Sequence, residues 1–343
     1  MYKAAVIGIG QIGYQIDHDP TRKFIWSHCK AFNSHQNIDL VAISDTNNER
    51  CKDFNREYSL VRSYNSYLKM LDEQEIELLS ICVPSILHLK IVSEVIEYSS
   101  IKAIFIEKPV GNSLDDSFQI EKICKQKKIV LATNYMRRWD NKYKYVKHLI
   151  DAHKLGKLQT IVAYGATSML TSSSHLIDLL LFFGGKTSWV FGELQKDYVR
   201  KVSDIEDHGG ISLIKFENES FGFLKATSKN DNNFMFELDV LLEDGRITIS
   251  ESWDDDDQSL LKVMEFQQRN SDPNGKYKTL KKMSDTSQLV SNERMIDAIS
   301  DIIQCIEKGS FNPLSNGKTA IEVHKIIRDI KKSSVTQQIT LPQ

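Results

Sequence analysis

An apolar run that breaks into glycines within the first thirteen residues constrains this chain more than any other feature. Ala4-Ala-Val-Ile reads as a buried strand and runs directly into Gly8-Ile-Gly10-Gln-Ile-Gly13. In that setting the glycines have separate tasks. Gly8 makes a tight turn, Gly10 lets backbone approach a pyrophosphate, and Gly13 lets a helix pack against the strand. Gln11 and Ile12 belong to the same turn, and the helix N-terminus that follows is expected to face the phosphates.

The pattern continues as such a turn requires. Leu40–Ser44, Leu78–Val83, Ala103–Ile106 and Ile129–Ala132 are near-continuously apolar, as parallel strands covered on both faces should be. Helical candidates at 87–98 and 114–127 lie between them, so the first part of the chain reads as βαβ units in a doubly wound α/β sheet. Beyond residue 133 the pattern changes. A helix at 140–153 is followed by strand-like runs at 210–216, 221–227, 234–242 and 247–250, joined by Asn218-Glu219 and Asp244-Gly245 turns. Two helices at 291–308 and 316–332 and a short strand at 338–341 close the chain. The expected architecture is a Rossmann dinucleotide-binding domain over 1–133, then an α/β domain over 134–343 with a large, mainly antiparallel open sheet. A length of 343 residues suits two such domains.

Charge excludes some functions. Lysine plus arginine, 44, nearly balances aspartate plus glutamate, 46, so no global field selects nucleic acid or a membrane surface. No uninterrupted apolar stretch reaches membrane-spanning length. The opening strand is expected to leave no room for a signal peptide. Five scattered cysteines, never in a CxxC spacing, argue for reduced thiols in the cytoplasm and against a zinc site or a disulfide framework. The Asp254–Asp257 run reads as a solvated loop, and no metal is expected there or elsewhere.

The second strand ends in Ser44-Asp45. A carboxylate there can accept from both adenosine ribose hydroxyls and would repel a 2′-phosphate, which favours NAD. Arg50 leaves NADP possible, and an Asp45 that merely caps the next helix is the bland alternative. The usual spacing to this acid is stretched, because 14–24 reads as an insertion after the phosphate turn. Pro84 and His88 in Cys82-Val-Pro-Ser-Ile-Leu-His88, and Glu107-Lys108-Pro109, fall where strands of such a sheet end and where its ligands bind. Lys108, emerging from a buried strand, can stabilise a developing alkoxide or move its proton; a structural salt-bridge lysine is the alternative.

Gly8-x-Gly10-x-x-Gly13, Val83-Pro84-x-x-x-His88, Glu107-Lys108-Pro109, Asn134-Tyr-Met-Arg137 and His175-Leu-Ile-Asp178 occur in an order that resembles the Gfo/Idh/MocA oxidoreductase family, across essentially the whole chain. The resemblance implies NAD(P)-dependent redox chemistry on a sugar, amino sugar, nucleotide sugar or cyclitol. It also implies a homodimer or homotetramer built through the second sheet. It makes Lys108 and His175 the catalytic pair, with Glu107 and Pro109 shaping the nicotinamide pocket and the Lys108–Pro109 bond a candidate for cis. Where many members carry an aspartate four residues before the histidine, this chain has Thr171.

His175, Asp178 and Phe182 share one helical face, and Ser172–Ser174 and Gly184-Gly185 read as the start and stop of that helix. The positive end of the helix dipole favours a neutral imidazole at His175, suited to accept an alcohol proton. Asp178 either orients His175 or contacts a substrate hydroxyl. Arg137 suits an anionic substrate or an ion pair, and Asn134 and Tyr135 are further substrate candidates. A non-catalytic nucleotide-binding protein, or an enzyme that retains and recycles its NAD, are the competing readings.

Overall fold

The computed structural model describes residues 1–202, 205–226, 235–251, 259–269, 277–283 and 289–342. The Asp254–Asp257 run lies outside them. The chain divides into two compact units: Met1–Trp139 with Glu293–His324, and Asp140–Asn292 with Lys325–Gln343. The sequence suggests one boundary at 133/134; these units are discontinuous, and residues 293–324 pack with the first.

The helices are α1 (His28–Ser34), α2 (Asn48–Glu57), α3 (Tyr67–Glu73), α4 (His88–Val95), α5 (Leu114–Gln126), α6 (Asn141–Asp151), α7 (Ser173–Gly184), α8 (Arg294–Lys308) and α9 (Gly317–Thr336). The first unit holds a parallel sheet of β1 (Tyr2–Ile7), β2 (Ile38–Ser44), β3 (Arg62–Tyr64), β4 (Leu78–Ile81), β5 (Ala103–Ile106) and β6 (Val130–Thr133), in the order β3-β2-β1-β4-β5-β6. Strand order reverses beside β1, so the crevice at the carboxyl ends of β1 and β4 is the place where this topology binds ligands. The last four residues of β1 and all of β4, β5 and β6 are buried, which explains their unbroken apolar sequence. α8 closes this core: Met295, Ala298, Ile299 and Ile302 are fully buried in the cluster that contains Ala4, Val6, Phe32 and Phe105.

The second unit is built on an eight-stranded sheet, with β7 (Leu158–Gly165), β8 (Thr187–Val202), β9 (Ile205–Phe216), β10 (Phe221–Ala226), β11 (Phe236–Leu242), β12 (Gly245–Glu251), β13 (Ser259–Gln268) and β14 (Lys278–Lys282). Its order is β14-β13-β12-β11-β7-β10-β9-β8, antiparallel throughout except for the parallel pair β7–β10. α7 packs on one face of it. Leu176, Ile177, Leu179 and Leu180 are fully buried and Asp178 is nearly so, so this helix is enclosed on all sides. The helix ends at Gly184, where a side chain would strike the Phe216 ring, and Gly185 takes the cap at φ +83°.

Candidate active site

The glycine turn has the predicted steric logic. A Cβ at Gly8 would stand 2.8 Å from Cys82 O, and one at Gly13 would stand 2.1 Å from Gly8 O. At Gly10 a Cβ would meet only Arg50 Nη1, at 3.6 Å, so the space in front of it is open. The helix expected directly after Gly13 is interrupted. Residues 10–16 make one turn, with Tyr14 N donating to Gly10 O and Ile16 N to Gln11 O, and a 3-10 turn at Gln15–His18 follows. The chain then makes an excursion and returns as α1, where His28 N donates to Ile12 O and Cys29 N to Gly13 O. Bonds that normally join residues four apart here join residues sixteen apart. The phosphate turn is therefore the first turn of a helix that α1 completes after a splice. Asp17 secures the splice by accepting from Trp26 N, Ser27 N and Ser27 Oγ at 2.7–2.9 Å.

A cavity of about 630 Å³ opens on this turn, lined among others by Gly8, Gly10, Asp45, Arg50, Val83 and Pro84. Its size and glycine cradle fit a dinucleotide's adenosine and pyrophosphate. Asp45 is buried at its edge. Its Oδ2 accepts from Ile9 N at 2.9 Å and Arg50 Nη1 at 3.0 Å, and its Oδ1 from Asn47 N at 2.8 Å. A carboxylate offers about four lone-pair sites, so one remains for a ribose hydroxyl. The cap of α2 is Asn47, whose side chain accepts from Glu49 N and Arg50 N, and not Asp45.

At the ends of β4 and β5 the side chains are chiefly occupied with each other. His88 is fully buried; its Nε2 faces Val83 O at 2.8 Å and its Nδ1 faces Pro109 O and Val110 O at 3.1 Å. The ring thus ties the loop after β4 to the loop after β5, and burial pushes its pKa below the usual histidine value despite the raising effect of those carbonyls. The Lys108–Pro109 peptide is cis, and Lys108 is half-buried.

Behind Lys108 lies a polar group in which Glu107 and Asn134, both legible in the sequence, are joined by His28 and Ser80, which are not. Glu107 Oε1 meets His28 Nε2 at 3.1 Å and accepts from Asn134 Nδ2 at 2.6 Å, while Oε2 accepts from Lys108 N at 3.2 Å. His28 Nδ1 bonds Ser80 Oγ, which donates to Phe105 O at 3.2 Å. Burial pushes the Glu107 carboxyl up, but His28, Asn134 and Lys108 together hold it below the ordinary carboxylate value. Asn134, Tyr135 and Arg137, read as substrate candidates, are all buried, and Asn134 turns its amide to Glu107. The signal for His28 was of the kind used for His175: a histidine heading an apolar helix, here Cys29, Ala31 and Phe32.

In the second unit His175 sits half-buried in the first turn of α7, its N–H donating to Ser172 O at 3.1 Å. The expected serine caps behave differently. Ser172 makes no side-chain cap bond, whereas Ser173 Oγ donates to Thr167 O and Ser174 Oγ to Thr171 O, both at 2.7 Å. Thr171 Oγ1 donates to Ser168 O at 3.0 Å. Asp207 on β9, also missed, holds this loop: it accepts from Ser168 Oγ at 2.7 Å and Leu170 N at 2.8 Å. Asp178 is buried on the α7 face it shares with His175.

Residues 2–135 match the model of an oxidoreductase family with an NAD-binding Rossmann fold. Over that stretch the chain carries the Rossmann domain of the Gfo/Idh/MocA oxidoreductases. It is 22% identical over 266 residues to the scyllo-inositol 2-dehydrogenase (NAD(+)) of Bacillus subtilis, covering 72% of this chain and 73% of that protein. In fold it is similar to a putative NADPH-dependent oxidoreductase from Desulfitobacterium hafniense, with a TM-score of 0.82 at 17% identity over 99% of this chain and 97% of that one. It is also similar to the WlbA dehydrogenase of Bordetella pertussis, solved with NADH and UDP-GlcNAcA, with a TM-score of 0.76 at 17% identity over 100% and 98% of the two chains.

Proposed function

We propose that this protein is an NAD(P)-dependent dehydrogenase that moves a hydride between nicotinamide and a secondary alcohol or ketone carbon of a sugar-like polyol. One observation carries the reading: an open glycine cradle at Gly10 and a half-buried lysine, Lys108, stand at strand ends of one dinucleotide-binding sheet. When bound, the nicotinamide supplies the hydride acceptor or donor. The protein's part is to bind, orient and handle one proton. Gly8, Gly10, Gln11, Ile12 and Gly13 receive the pyrophosphate, Asp45 a ribose hydroxyl, and Pro84 lines the cavity, while His88 and Pro109 fix the loops around Lys108. In the oxidation direction the substrate hydroxyl gives up its proton as hydride leaves carbon, and either Lys108 Nζ or the His175 imidazole is assigned to hold that proton and steady the oxygen. The Bacillus subtilis relative, a scyllo-inositol 2-dehydrogenase, supports a cyclitol or related polyol as substrate class.

Lys108→Ala tests the assignment. Turnover across a panel of cyclitols, sugars and acidic sugars is expected to fall by about three orders of magnitude or more, with NADH binding, followed by its fluorescence, nearly unchanged. Wild-type turnover in this variant would remove Lys108 from the mechanism, and a wild-type protein that never changes the redox state of NAD(H) or NADP(H) on such a panel would overturn the function. A second reading, a nucleotide-binding protein that has lost catalysis, is favoured by Thr171, the position at which the family resemblance implies an aspartate. Bound cofactor that never changes redox state across a wide sugar panel would select it, whereas cofactor that co-purifies and survives dialysis would select an enzyme that retains and recycles its NAD.

We assign the protein to the cytoplasm, a placement supported by five free thiols; among the described residues no helix is long and apolar enough to cross a membrane. The second sheet supports self-association. Val162, Phe223, Leu213 and Phe191 lie side by side across β7, β10, β9 and β8 on its exposed face, with Tyr164 and Ile211 in the neighbouring row.

A further inference from the structure

The geometry assigns His28 as a positioning residue for the reaction proposed above: through Glu107 it fixes the backbone of Lys108 and keeps a negative charge beside the lysine ammonium. The bond from Ser80 to Phe105 sets the direction of the arrangement, and Asn134 Nδ2 also lies 3.4 Å from His28 Nε2. Ser80 has one hydroxyl proton and gives it to Phe105 O, so toward His28 its oxygen accepts and Nδ1 carries a proton. Nε2 then meets Glu107 Oε1 with one proton between them. Asn134 Nδ2 approaches that same oxygen from the end of β6, and the other carboxylate oxygen accepts the main-chain N–H of Lys108.

Glu107 is therefore held from three directions, by α1, by the residue after β6 and by its own following peptide. Its position is not adjustable without breaking one of these bonds. His28 and Glu107 are both buried, so the pair cannot exchange its partners for water. The splice in the first helix gives the arrangement its register, because the chain re-enters α1 at His28 itself, with His28 N bound to Ile12 O of the phosphate turn. One residue thus joins the phosphate turn, by its main chain, to the lysine segment, by its ring.

Removing the ring leaves a buried carboxylate without its counter-donor, and such a group moves toward water or takes up a proton. Either outcome loosens Lys108 and weakens the field that holds its ammonium. The test uses the full-length protein and reads Lys108 directly. In His28→Leu, the rate at which an amine-directed acylating reagent labels Lys108, followed by peptide mass spectrometry against the other lysines, is expected to rise about threefold or more. Turnover should fall by about a hundredfold, with polyol KM and NADH Kd nearly unchanged, and His28→Gln, which keeps a donor, should recover part of it. Adding His28→Leu to Glu107→Gln should cost little beyond Glu107→Gln alone, since the neutral amide no longer needs the imidazole.

Unchanged Lys108 labelling in a folded His28→Leu protein, or fully additive losses in the double variant, would overturn the role. If His28→Leu does not fold, Asn134→Ser removes the other donor to the same oxygen, and unchanged labelling there counts equally against it. The labelling needs no turnover, so a protein inactive on every polyol would defeat the proposed function while leaving this inference to its own result.

Discussion

At the scale of single residues, Asp45 and Arg50 are the pair we propose to set which dinucleotide the cavity takes. Three of the carboxylate's lone pairs are used by Ile9 N, Asn47 N and the Arg50 guanidinium, so the full two-hydroxyl grip that favours NAD is reduced to one acceptor. Arg50 stands half-exposed on the cavity wall, 3.6 Å from where a side chain at Gly10 would begin. A guanidinium there is a natural partner for a 2′-phosphate. Arg50→Ala should therefore release one Asp45 lone pair to the ribose and remove the phosphate partner. The ratio of NADP(H) to NAD(H) dissociation constants is expected to rise about tenfold, or about 1.4 kcal/mol, in titrations followed by reduced-cofactor fluorescence. An unchanged ratio would mean that Arg50 serves only to anchor Asp45.

At the scale of elements, the glycine turn separates two roles that sequence alone merges. Gly13 packs, because any side chain there runs into Gly8 O, whereas Gly10 faces open space. Gly13→Ala should destabilise the protein by about 1–3 kcal/mol in denaturant titrations, the usual cost of overpacking. Gly10→Ala should leave the unfolding midpoint nearly where it was and weaken NADH binding at least tenfold, since its Cβ occupies ligand space. Equal destabilisation by both would show that the cradle is structural only. The elements most legible in sequence were those whose burial is uniform: β1, β4, β5 and β6 announce themselves as apolar runs. β3 has only Tyr64 buried out of three residues at a sheet edge, and β14 has none, so neither leaves a pattern to read. β8 is sixteen residues long but shifts register twice against β9, which breaks its alternation. In the site, glycines and the Glu-Lys-Pro segment were legible because their chemistry is local. His28, Ser80 and Asp207 were not, because each works on a partner at least 37 residues away in sequence.

At the scale of the molecule, the first unit is not a stretch of chain that ends where the nucleotide motifs end. β6 takes a backbone bond from outside that stretch, Thr133 N donating to Ser315 O at 2.8 Å, and Trp139 Nε1 donates to Asp301 Oδ2 at 2.9 Å. Met295, Ile299 and Ile302 of α8 are fully buried in the core beneath β1 and β5. Burying each such side chain contributes roughly 1.5–3 kcal/mol, so the three together approach the roughly 5–15 kcal/mol that a whole domain has to spare. A fragment of residues 1–139 carries every nucleotide-binding candidate yet lacks this cover. It is expected to unfold without cooperativity, to bind a hydrophobic dye, and to bind NADH far more weakly than the full chain. Rejoining residues 293–324 to it through a flexible linker should restore a cooperative transition and NADH binding together. A fragment of 1–139 that folds cooperatively and binds NADH as the whole protein does would show that α8 only decorates a core already complete without it.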